Sequence, residues 1–322
     1  MPELPEVEVV RAGLSPAVTG ARVEGVEVVD PRALKRHLPR GDALVGVGRH
    51  GVSLDAMAAS ARRADFEGRL TGARFGVPTR RGKFLWIPLL PEAGDPTEAL
   101  LAHLGMSGQL LLRANDAPDD RHLRIRLWIA HPHHGHLRVD FADQRLFGGL
   151  AIDTLEATAD GAPGGRGSDL AAIPSQARHI ARDPLDPAFD DERWVRGLRA
   201  RRAPVKAALL DQSLGSGIGN IYADEALWRA RIHPLTRGTR IGVARARDLL
   251  GHVREVFAQA LAEGGTSFDA QYVNVNGQAG YFAHSLNVYG RAGAPCPRCG
   301  TPIVRLVLQG RSTHCCPRCQ RR

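Results

Sequence analysis

HLRIRLWIAHPHHGHLRVDF, residues 122–141, alternates apolar and polar side chains with a period of two. Four apolar residues share one face of its first half: Leu123, Ile125, Leu127 and Ile129. A second alternating run, at 137–141, follows the turn sequence HPHHG. Two such runs joined by a short turn predict a β-hairpin with one buried face.

Three earlier segments show the same strand-like pattern. They are RVEGVEVV (22–29), KFLWIPLL (83–90) and ALLAHLGMSGQLLL (99–112). Several short strands separated by Gly and Pro turns indicate an antiparallel β-sandwich or a flattened barrel. A short helix is predicted before them, at 5–14, because its apolar residues follow helical spacing.

The second half of the chain changes to helical periodicity. Helices are predicted in DDERWVRGLRARR (190–202), VKAALLDQ (205–212), NIYADEALWRARIHP (220–234) and ARDLLGHVREVFAQALAEGG (246–265). Residues 157–178 lie between the two patterns and are rich in Gly, Ala, Pro and Asp. This composition predicts a flexible linker, because it offers little apolar surface to bury.

Length and charge limit the classes of protein that this chain fits. At 322 residues it is long enough for two or three domains. The net charge of +9 and the pI of about 9.9 favour a polyanionic partner. The sequence has no long apolar run and no signal-peptide pattern, so we expect no membrane association and a cytoplasmic location.

All five cysteines fall in CPRCGTPIVRLVLQGRSTHCCPRC, residues 296–319. Two C-x2-C pairs, separated by a strand-like segment, predict one structural zinc ion bound by four thiolates. The predicted ligands are Cys296, Cys299, Cys316 and Cys319. Cys315 is an alternative to Cys316, but it would leave three residues between the second pair, so we assign Cys316 as the ligand.

A glycine-rich turn, LGSGIG (214–219), separates two of the predicted helices. Asn220 begins the second of these helices, and Lys206 lies in the first. Backbone N–H groups at a helix start suit a phosphate oxygen. Most such turns are merely tight connections, so this feature has weight only together with the basic charge and the cysteine pairs.

The chain begins MPELPEVEVV. Taken alone, this is most simply the start of a helix. If Met1 is removed, however, Pro2 carries a free secondary amine with the Glu3 carboxylate beside it. An α-amino group titrates near pH 8, well below lysine at about 10.4, so it offers more free base at neutral pH. The alternative to a helix start is therefore a nucleophilic site.

Taken together, these motifs resemble the bacterial formamidopyrimidine-DNA glycosylase family. The resemblance rests on MPELPEVE at the N-terminus, RRGKFLW (80–86), HLGMSG (103–108), DQRLFGG (143–149), GIGNIYADEALW (217–228) and the four-cysteine segment. GGTSF (264–268) and NGQAGYF (276–282) belong to the same series. These blocks run in family order and leave only the stretches near 50–66 and 157–175 unmatched.

The resemblance implies an α+β fold in four parts. These are an antiparallel β-sandwich catalytic domain (1–156), the linker (157–178), a helical domain with a helix–two-turn–helix motif (179–290) and a β-hairpin zinc finger (291–322). It implies a monomer whose partner is double-stranded DNA with oxidised bases or abasic sites, at the nucleoid. The implied activity is excision of oxidised purines, such as 8-oxoguanine and formamidopyrimidines, followed by strand cleavage through β,δ-elimination in base excision repair.

The resemblance also assigns roles to single residues. Pro2 becomes the nucleophile that forms a Schiff base with the sugar, Glu3 the acid/base beside it and Glu6 a supporting carboxylate. Lys83 becomes the lysine that reaches the phosphates near the lesion. Four residues match phosphate contacts: His103, Lys206, Asn220 and Arg311.

Three further residues match the side chains that fill the space left by a flipped-out base: Met106, Arg145 and Phe147. The chain departs from the family's pattern at three positions. Gln144 and Leu146 stand where many members have proline and arginine, and Asp269 stands where some members have a basic residue. The departures at Gln144 and Leu146 are expected to change the shape of the loop that carries Arg145 and Phe147. The departure at Asp269 is expected to change the preference among lesions.

Two other functions fit part of the pattern. Endonuclease VIII, a related enzyme that excises oxidised pyrimidines, usually begins PEGPE, whereas this chain has PELPE. A non-catalytic DNA-binding protein would use the same zinc finger and basic charge, but it has no need of Pro2, Glu3 and Lys83. Both alternatives are therefore less favoured than the purine-specific enzyme.

Overall fold

The computed structural model describes residues 2–40, 55–266, 275–276 and 280–322. The described residues form two compact units. The first comprises Pro2, residues 6–40 and 55–178, and the short pieces 275–276 and 280. The second comprises residues 3–5, 179–266 and 281–322.

The first unit is built around an antiparallel sheet of ten strands. The strands are β1 (Arg22–Val28), β2 (Arg74–Phe75), β3 (Thr79–Arg81), β4 (Phe84–Leu90), β5 (Glu98–His103), β6 (Gly108–Ala114), β7 (Leu123–His131), β8 (Gly135–Asp143), β9 (Gly149–Ala157) and β10 (Ala172–Pro174). Their order is β10-β9-β5-β4-β2-β1-β7-β8-β6, and β3 pairs with β4. β7 and β8 form the predicted hairpin, in which Leu127 lies opposite Val139.

The two ends of this sheet share one hydrophobic core, so the sheet must fold back over itself. Leu100 and Leu150 come from β5 and β9, and Leu110 and Val139 come from β6 and β8 at the other end of the strand order. All four are buried, and they line one small internal cavity. The predicted antiparallel sandwich is confirmed.

Helix α1 (Leu4–Val18) is longer than the predicted segment 5–14. Val7, Val10 and Leu14 lie in the core of the first unit, as their spacing predicts, whereas Leu4 belongs to the core of the second unit. The helix therefore begins among residues of one unit and continues in the other.

The β pattern predicted for the first half is interrupted by helix α2 (Ala56–Leu70), which the sequence analysis missed. Asp55 caps its start by accepting a hydrogen bond from the Ala58 backbone. The helix buries only three residues, Arg62, Phe66 and Leu70. Because one of these is an arginine, the apolar periodicity that normally marks a helix is weak here.

The prediction of a flexible linker at 157–178 is wrong. β10 lies within this segment and pairs with β9, and Arg166 exchanges two backbone hydrogen bonds with Arg80. A Cβ at Gly164 would clash with the Ala172 carbonyl oxygen, and one at Gly165 would clash with that of Arg80. These glycines allow close backbone contact, so their abundance here reflects packing and not flexibility.

The second unit contains four α-helices among its described residues: α3 (Asp191–Ala200), α4 (Val205–Leu209), α5 (Asn220–Arg229) and α6 (Val243–Ala262). Asp190 caps α3 by accepting a hydrogen bond from the Arg193 backbone N–H, and Pro204 occupies the cap position of α4. The finger hairpin pairs β11 (Val304–Leu308) with β12 (Arg311–Cys315). Among the residues that the structure describes, no helix is both long and apolar enough to cross a membrane.

Candidate functional site

The Glu3 carboxylate is buried at the start of helix α5, within the second unit. It accepts hydrogen bonds from the backbone N–H groups of Ile221, at 3.0 Å, and Tyr222, at 3.4 Å. The first N–H groups of a helix have no partner inside the helix, and the helix dipole favours negative charge at this end. Helix α5 therefore fixes the position of Glu3, 218 residues earlier in the chain.

Two glycines of the LGSGIG turn make this close approach possible. The Leu4 backbone N–H donates to the Gly217 carbonyl oxygen, at 3.1 Å. A Cβ at Gly219 would lie 2.1 Å from the carboxyl carbon of Glu3. The sequence of this turn suits a phosphate contact, and in the structure the turn also makes room for the N-terminal residues Glu3 and Leu4.

Pro2 and Glu6 lie on either side of residues 3–5 in the chain. Pro2 is buried, and Glu6, in the first turn of α1, is only 3% exposed. Met1 lies outside the described residues. The nitrogen of Pro2 is a basic amine only when Met1 has been removed, because as an amide its lone pair is delocalised into the carbonyl group.

In the first unit, the pairing of β4, β5 and β9 brings several of the predicted site residues together at one end of these strands. Lys83 directly precedes β4, and the next residue, Phe84, lies opposite His103 at the end of β5. The rings of Phe84 and His103 are 5.1 Å apart between centroids. His103 in turn lies opposite Gly149, the first residue of β9.

Two loops meet at this same end of the strands. The loop between β5 and β6 carries Met106, and the loop between β8 and β9 carries Arg145 and Phe147. A Cβ at Gly105 would clash with the Gly148 backbone nitrogen, so the two backbones touch. The sheet thus places the predicted void-filling residues Met106, Arg145 and Phe147 on adjoining loops.

Asp143 organises both loops. Its carboxylate accepts hydrogen bonds from the Ser107 hydroxyl, at 2.5 Å, and from the backbone N–H groups of Arg145, at 3.1 Å, and Gly148, at 2.8 Å. Asp143 is fully buried. Neither Asp143 nor Ser107 is assigned a role from the sequence, although they belong to the motifs DQRLFGG (143–149) and HLGMSG (103–108).

The side chains of these loops remain accessible. Met106 is 42% exposed although it is apolar, and the guanidinium of Arg145 lies over the Phe147 ring at 4.8 Å. Leu146 has a φ of 54°, which is unusual for a residue other than glycine. The buried amino group of Lys35 donates to the Leu146 carbonyl oxygen and so holds this backbone conformation.

Lys206 is placed differently from the phosphate contact that the resemblance implies. Its amino group is fully buried and forms an ion pair with Asp224, at 2.6 Å. It also donates to the Ser312 carbonyl oxygen, at 3.0 Å, and to the Thr313 hydroxyl, at 2.9 Å. Burial lowers the pKa of Lys206, whereas the Asp224 carboxylate raises it, and the net shift is downward.

The start of α5 and the finger strand β12 are joined by further hydrogen bonds. The Asn220 side chain donates to the Ser312 carbonyl oxygen, at 2.9 Å, and the Asp224 carboxylate accepts from the His314 backbone, at 2.8 Å. Arg311, next to Ser312, is exposed. Lys206 and Asp224 thus help to hold the strand that carries Arg311.

The four predicted zinc ligands lie together. The sulfur atoms of Cys296, Cys299, Cys316 and Cys319 are all within 4.8 Å of one another. Tetrahedral zinc with bonds of about 2.3 Å requires sulfurs about 3.8 Å apart, so the group fits one ion. Four thiolates fill the coordination shell, so such an ion has a structural role.

Cys315 is buried at the end of β12 and is not part of this group. Burial, with the Asp224 carboxylate and the Cys316 thiolate nearby, raises its pKa to about 11. Cys315 is therefore a neutral thiol at physiological pH, as expected for a residue outside the metal site. The departure at Asp269 lies outside the described residues.

Three family models together match most of the chain. The N-terminal domain of formamidopyrimidine-DNA glycosylase matches residues 1–150, the H2TH domain of that enzyme matches 180–271, and the zinc finger found in this enzyme and in IleRS matches 293–322. The zinc-finger match and the four clustered thiols confirm the prediction of one structural zinc site.

Curated relatives match over the full length. The formamidopyrimidine-DNA glycosylase of Leifsonia xyli subsp. xyli is 57% identical over 321 residues, covering 100% of both chains. That of Streptomyces avermitilis is 52% identical and covers 100% of this chain and 98% of the relative.

Two solved structures are also similar to this chain over nearly its full length. The Lactococcus lactis Fpg in complex with DNA containing an abasic site has a TM-score of 0.74 at 28% identity, covering 99% of this chain and 100% of that chain. The MutM (Fpg) protein from Thermus thermophilus has a TM-score of 0.73 at 34% identity, covering 99% and 98%. Since three family models match most of the chain and relatives above 50% identity cover all of it, the chain belongs to the formamidopyrimidine-DNA glycosylase family.

Proposed function

We propose that this protein is a bifunctional DNA glycosylase and abasic-site lyase that excises oxidised purines in base excision repair. The observation that carries the proposal is the Glu3 carboxylate fixed on the first turn of α5, directly after Pro2 in the chain. A buried carboxylate beside an N-terminal secondary amine is an acid/base and nucleophile pair. A protein that only binds DNA has no need of this arrangement.

The reaction begins with attack of the Pro2 nitrogen on C1′ of the damaged nucleotide. The N–C1′ bond forms, and the bond from C1′ to the base breaks. The base leaves with the electron pair and is protonated. The nitrogen, now cationic, loses its proton to the Glu3 carboxylate, which passes it to the ring oxygen as the sugar ring opens, and an iminium ion then links Pro2 to C1′.

Strand cleavage follows because the iminium ion acidifies the protons on C2′. Loss of one such proton expels the 3′ phosphate, and a second elimination expels the 5′ phosphate. Water then hydrolyses the imine and restores the Pro2 amine, so a one-nucleotide gap remains in the strand. Lys83 is assigned to the phosphates next to the lesion.

The remaining predicted residues are assigned to the DNA around the lesion. His103 and, in the second unit, Asn220 and Arg311 are assigned to phosphates. Met106, Arg145 and Phe147 are assigned to the space that the extruded nucleotide leaves, which costs a few kcal/mol to open. The exposed Met106 and the Arg145–Phe147 pair support this assignment. A DNA substrate also implies association with the nucleoid.

The proposal is tested by trapping the iminium ion. Protein with a processed N-terminus is incubated with duplex DNA containing 8-oxoguanine opposite cytosine, and borohydride is added. We expect a covalent protein–DNA adduct that is absent with undamaged duplex. The adduct should also be absent in Pro2→Gly and in protein that retains Met1.

A matched control is Pro91→Gly, because Pro91 is exposed directly after β4 and has no part in the proposed chemistry. This variant should trap as well as the parent protein. If the processed parent protein neither forms an adduct nor cleaves DNA with any oxidised base, the enzymatic proposal is wrong and the non-catalytic alternative stands.

A second substrate class has one observation in its favour. A wild-type Lactococcus lactis Fpg, 27% identical to this chain with a TM-score of 0.75, has been solved with DNA containing an oxidised pyrimidine. We therefore propose oxidised pyrimidines as secondary substrates. The same trapping experiment with an oxidised pyrimidine tests this, and an adduct with pyrimidines alone would assign the endonuclease VIII specificity instead.

A further inference from the structure

Two buried charged side chains bind the backbone of the loop between β8 and β9. The Asp143 carboxylate accepts hydrogen bonds from the N–H groups of Arg145 and Gly148, and the Lys35 amino group donates to the Leu146 carbonyl oxygen. Asp143 ends the strand that leads into this loop, whereas Lys35 lies 111 residues before Leu146 and is only 7% exposed. Lys35 is therefore a support of the loop that the loop's own sequence does not contain.

The conformation of Leu146 depends on this support. Its φ of 54° lies in the left-handed region, where the Cβ is crowded against the following carbonyl oxygen. Such a conformation persists only where the surrounding structure determines it. Because Leu146 lies between Arg145 and Phe147, a change in its backbone angles turns these two side chains relative to each other. The stacking of the Arg145 guanidinium on the Phe147 ring, at 4.8 Å, therefore depends on the hydrogen bond from Lys35.

Lys35 is held in turn by helix α2. The Arg62 guanidinium, only 1% exposed, donates to the carbonyl oxygens of Leu34, at 3.1 Å, Lys35, at 2.8 Å, and His37, at 2.7 Å. The Asp65 carboxylate, three residues further along α2, lies 2.9 Å from a ring nitrogen of the buried His37. Helix α2 thus fixes the backbone from which the Lys35 side chain extends.

The backbone just before Lys35 also touches the end of the loop directly. A Cβ at Gly149, the first residue of β9, would lie 2.4 Å from the Ala33 carbonyl oxygen. Ala33 belongs to the short 3-10 helix Pro31–Leu34, so this helix and the start of β9 are in backbone contact. A displacement of the segment that carries Lys35 is therefore transmitted to the loop.

These contacts join two features that set this chain apart from the family's pattern. Helix α2 overlaps the stretch near 50–66 that the family motifs leave unmatched, and Leu146 stands where many members have arginine. Lys35 connects them, because its backbone binds Arg62 of α2 and its amino group binds Leu146.

We propose that Lys35 is a positioning residue that sets the preference of this protein for the base opposite the lesion, by fixing Leu146 and so aiming the Arg145 guanidinium. A guanidinium has N–H donors and no acceptor. The Watson–Crick edge of cytosine offers O2 and N3 as acceptors, whereas adenine places an amino group beside N1. A guanidinium held in place therefore favours cytosine, and one that moves loses this advantage. The inference rests on the proposed function, which assigns Arg145 to the space that the extruded nucleotide leaves.

The test measures kcat/KM for excision of 8-oxoguanine opposite cytosine and opposite adenine. Lys35→Met removes the amino group but keeps the length of the side chain, and Lys35→Arg retains a cationic donor. Arg62→Met removes the group that holds the Lys35 backbone. Arg63→Met is the matched control, because Arg63 is the next residue of α2 and its side chain is exposed.

Lys35→Met should lower the ratio of the two kcat/KM values, cytosine over adenine, by about tenfold, as expected for loss of one hydrogen bond from a charged group. Arg62→Met should lower the ratio in the same direction, whereas Lys35→Arg and Arg63→Met should keep that of the parent protein. Hydrogen exchange of the Arg145 and Gly148 amides should be faster in Lys35→Met, while the β7–β8 hairpin stays protected. An unchanged ratio in Lys35→Met, or an equal loss of excision opposite both bases, would overturn the proposal.

A second substrate separates this proposal from the proposed function. Single-stranded DNA with an abasic site has no opposite base and no space to fill, so borohydride trapping on it reports on the Pro2 nucleophile. Lys35→Met should trap as well as the parent protein, and loss of the adduct would show a general structural role and overturn the proposal. Normal trapping with an unchanged base ratio would leave the glycosylase standing and remove Lys35 from its specificity. If the parent protein neither traps nor excises, the proposed function is wrong, and the role of Lys35 falls with it.

Discussion

Gly219 offers the sharpest test of the site at the scale of a single residue. Its φ of −124° suits any residue, so alanine adds no backbone strain there. A Cβ, however, would lie 2.1 Å from the Glu3 carboxyl carbon, which forces the carboxylate off the helix start. Because acid/base catalysis contributes about 10²–10⁴-fold, we expect Gly219→Ala to slow base excision by at least about 100-fold. Single-turnover excision of 8-oxoguanine measures this rate.

Gly251 provides the matched control. It lies in α6, and a Cβ there would meet nothing within 4 Å. Gly251→Ala should leave excision unchanged and stabilise the protein by about 0.5–1 kcal/mol through helix propensity. Equal excision rates in Gly219→Ala and Gly251→Ala would show that the position of Glu3 does not matter to the reaction.

The adjacent cysteines make a second prediction at this scale. Cys315→Ala should retain one zinc ion per chain, because the Cys315 thiol lies outside the sulfur cluster. Cys316→Ala should lose zinc, because it removes one of four ligands. Metal analysis of the two purified variants decides the assignment, and the reverse pattern would make Cys315 the ligand.

At the scale of elements, one carboxylate joins three parts of the first unit. Glu8 in α1 binds Arg11 in its own helix, at 2.8 Å, Arg80 in β3, at 2.7 Å, and Arg166, at 3.0 Å. Arg166 belongs to the segment 157–178 that the sequence analysis interpreted as a flexible linker. This network is one reason why that segment is ordered.

The same network predicts a dependence of stability on pH. Burial raises the pKa of Glu8, but hydrogen bonds and charges from Arg11 and Arg80 outweigh it, so the pKa lies below its usual 4.5. A carboxyl group with a lowered folded pKa stabilises the fold above its unfolded pKa, and that contribution is lost as the pH falls through the folded pKa. We expect Glu8→Gln to lower the free energy of unfolding by about 3 kcal/mol at pH 7, and by progressively less as the pH falls from the usual pKa of 4.5 through the lowered folded pKa.

Urea unfolding across this pH range measures both values. Glu92→Gln, a change in an exposed turn, is the control and should leave the stability unchanged at every pH. If the free energy of unfolding of Glu8→Gln falls at low pH as steeply as that of the parent protein, other carboxylates determine the loss of stability in acid.

At the scale of the whole molecule, elements with strong local signals were predictable from the sequence. The hairpin at 122–141 has a strict period of two, helices α3, α5 and α6 lie in segments with helical periodicity, and the cysteine pairs have metal-binding spacing. In each case, the residues that decide the structure are close together in sequence. The family resemblance then supplied the roles that no local pattern contains.

Features that depend on distant contacts were not predictable in the same way. Glu3 and Ile221 are 218 residues apart, and no local pattern joins them. Lys206 was expected to reach a DNA phosphate, which requires exposure, but the ion pair with Asp224 makes its burial possible. The glycines of 157–178 have the composition of a linker, because close packing and flexibility favour the same small residue.

Zinc removal is the prediction that involves the largest part of the molecule. Without the ion, the finger is held to α4, α5 and the segment after α5 by a few hydrogen bonds, such as those from Asn220 and Lys206 to the Ser312 carbonyl oxygen and from Gln320 to that of Ile232. Each contributes about 1 kcal/mol, whereas structural zinc contributes apparent binding energies of about 10–16 kcal/mol. The metal therefore dominates the stability of the finger, and the strand that carries Arg311 should unfold when it is removed.

We expect a chelator to abolish binding to lesion-containing duplex while the sheet of the first unit stays folded, because that sheet has its own core. Fluorescence anisotropy with labelled duplex measures the binding, and hydrogen exchange of the β7–β8 hairpin reports on the sheet. Zinc restored to the demetallated protein should recover the binding, which excludes irreversible damage as the cause of its loss. Undiminished affinity in zinc-free protein would show that DNA binding does not require the finger, and therefore that Arg311 has no role in it.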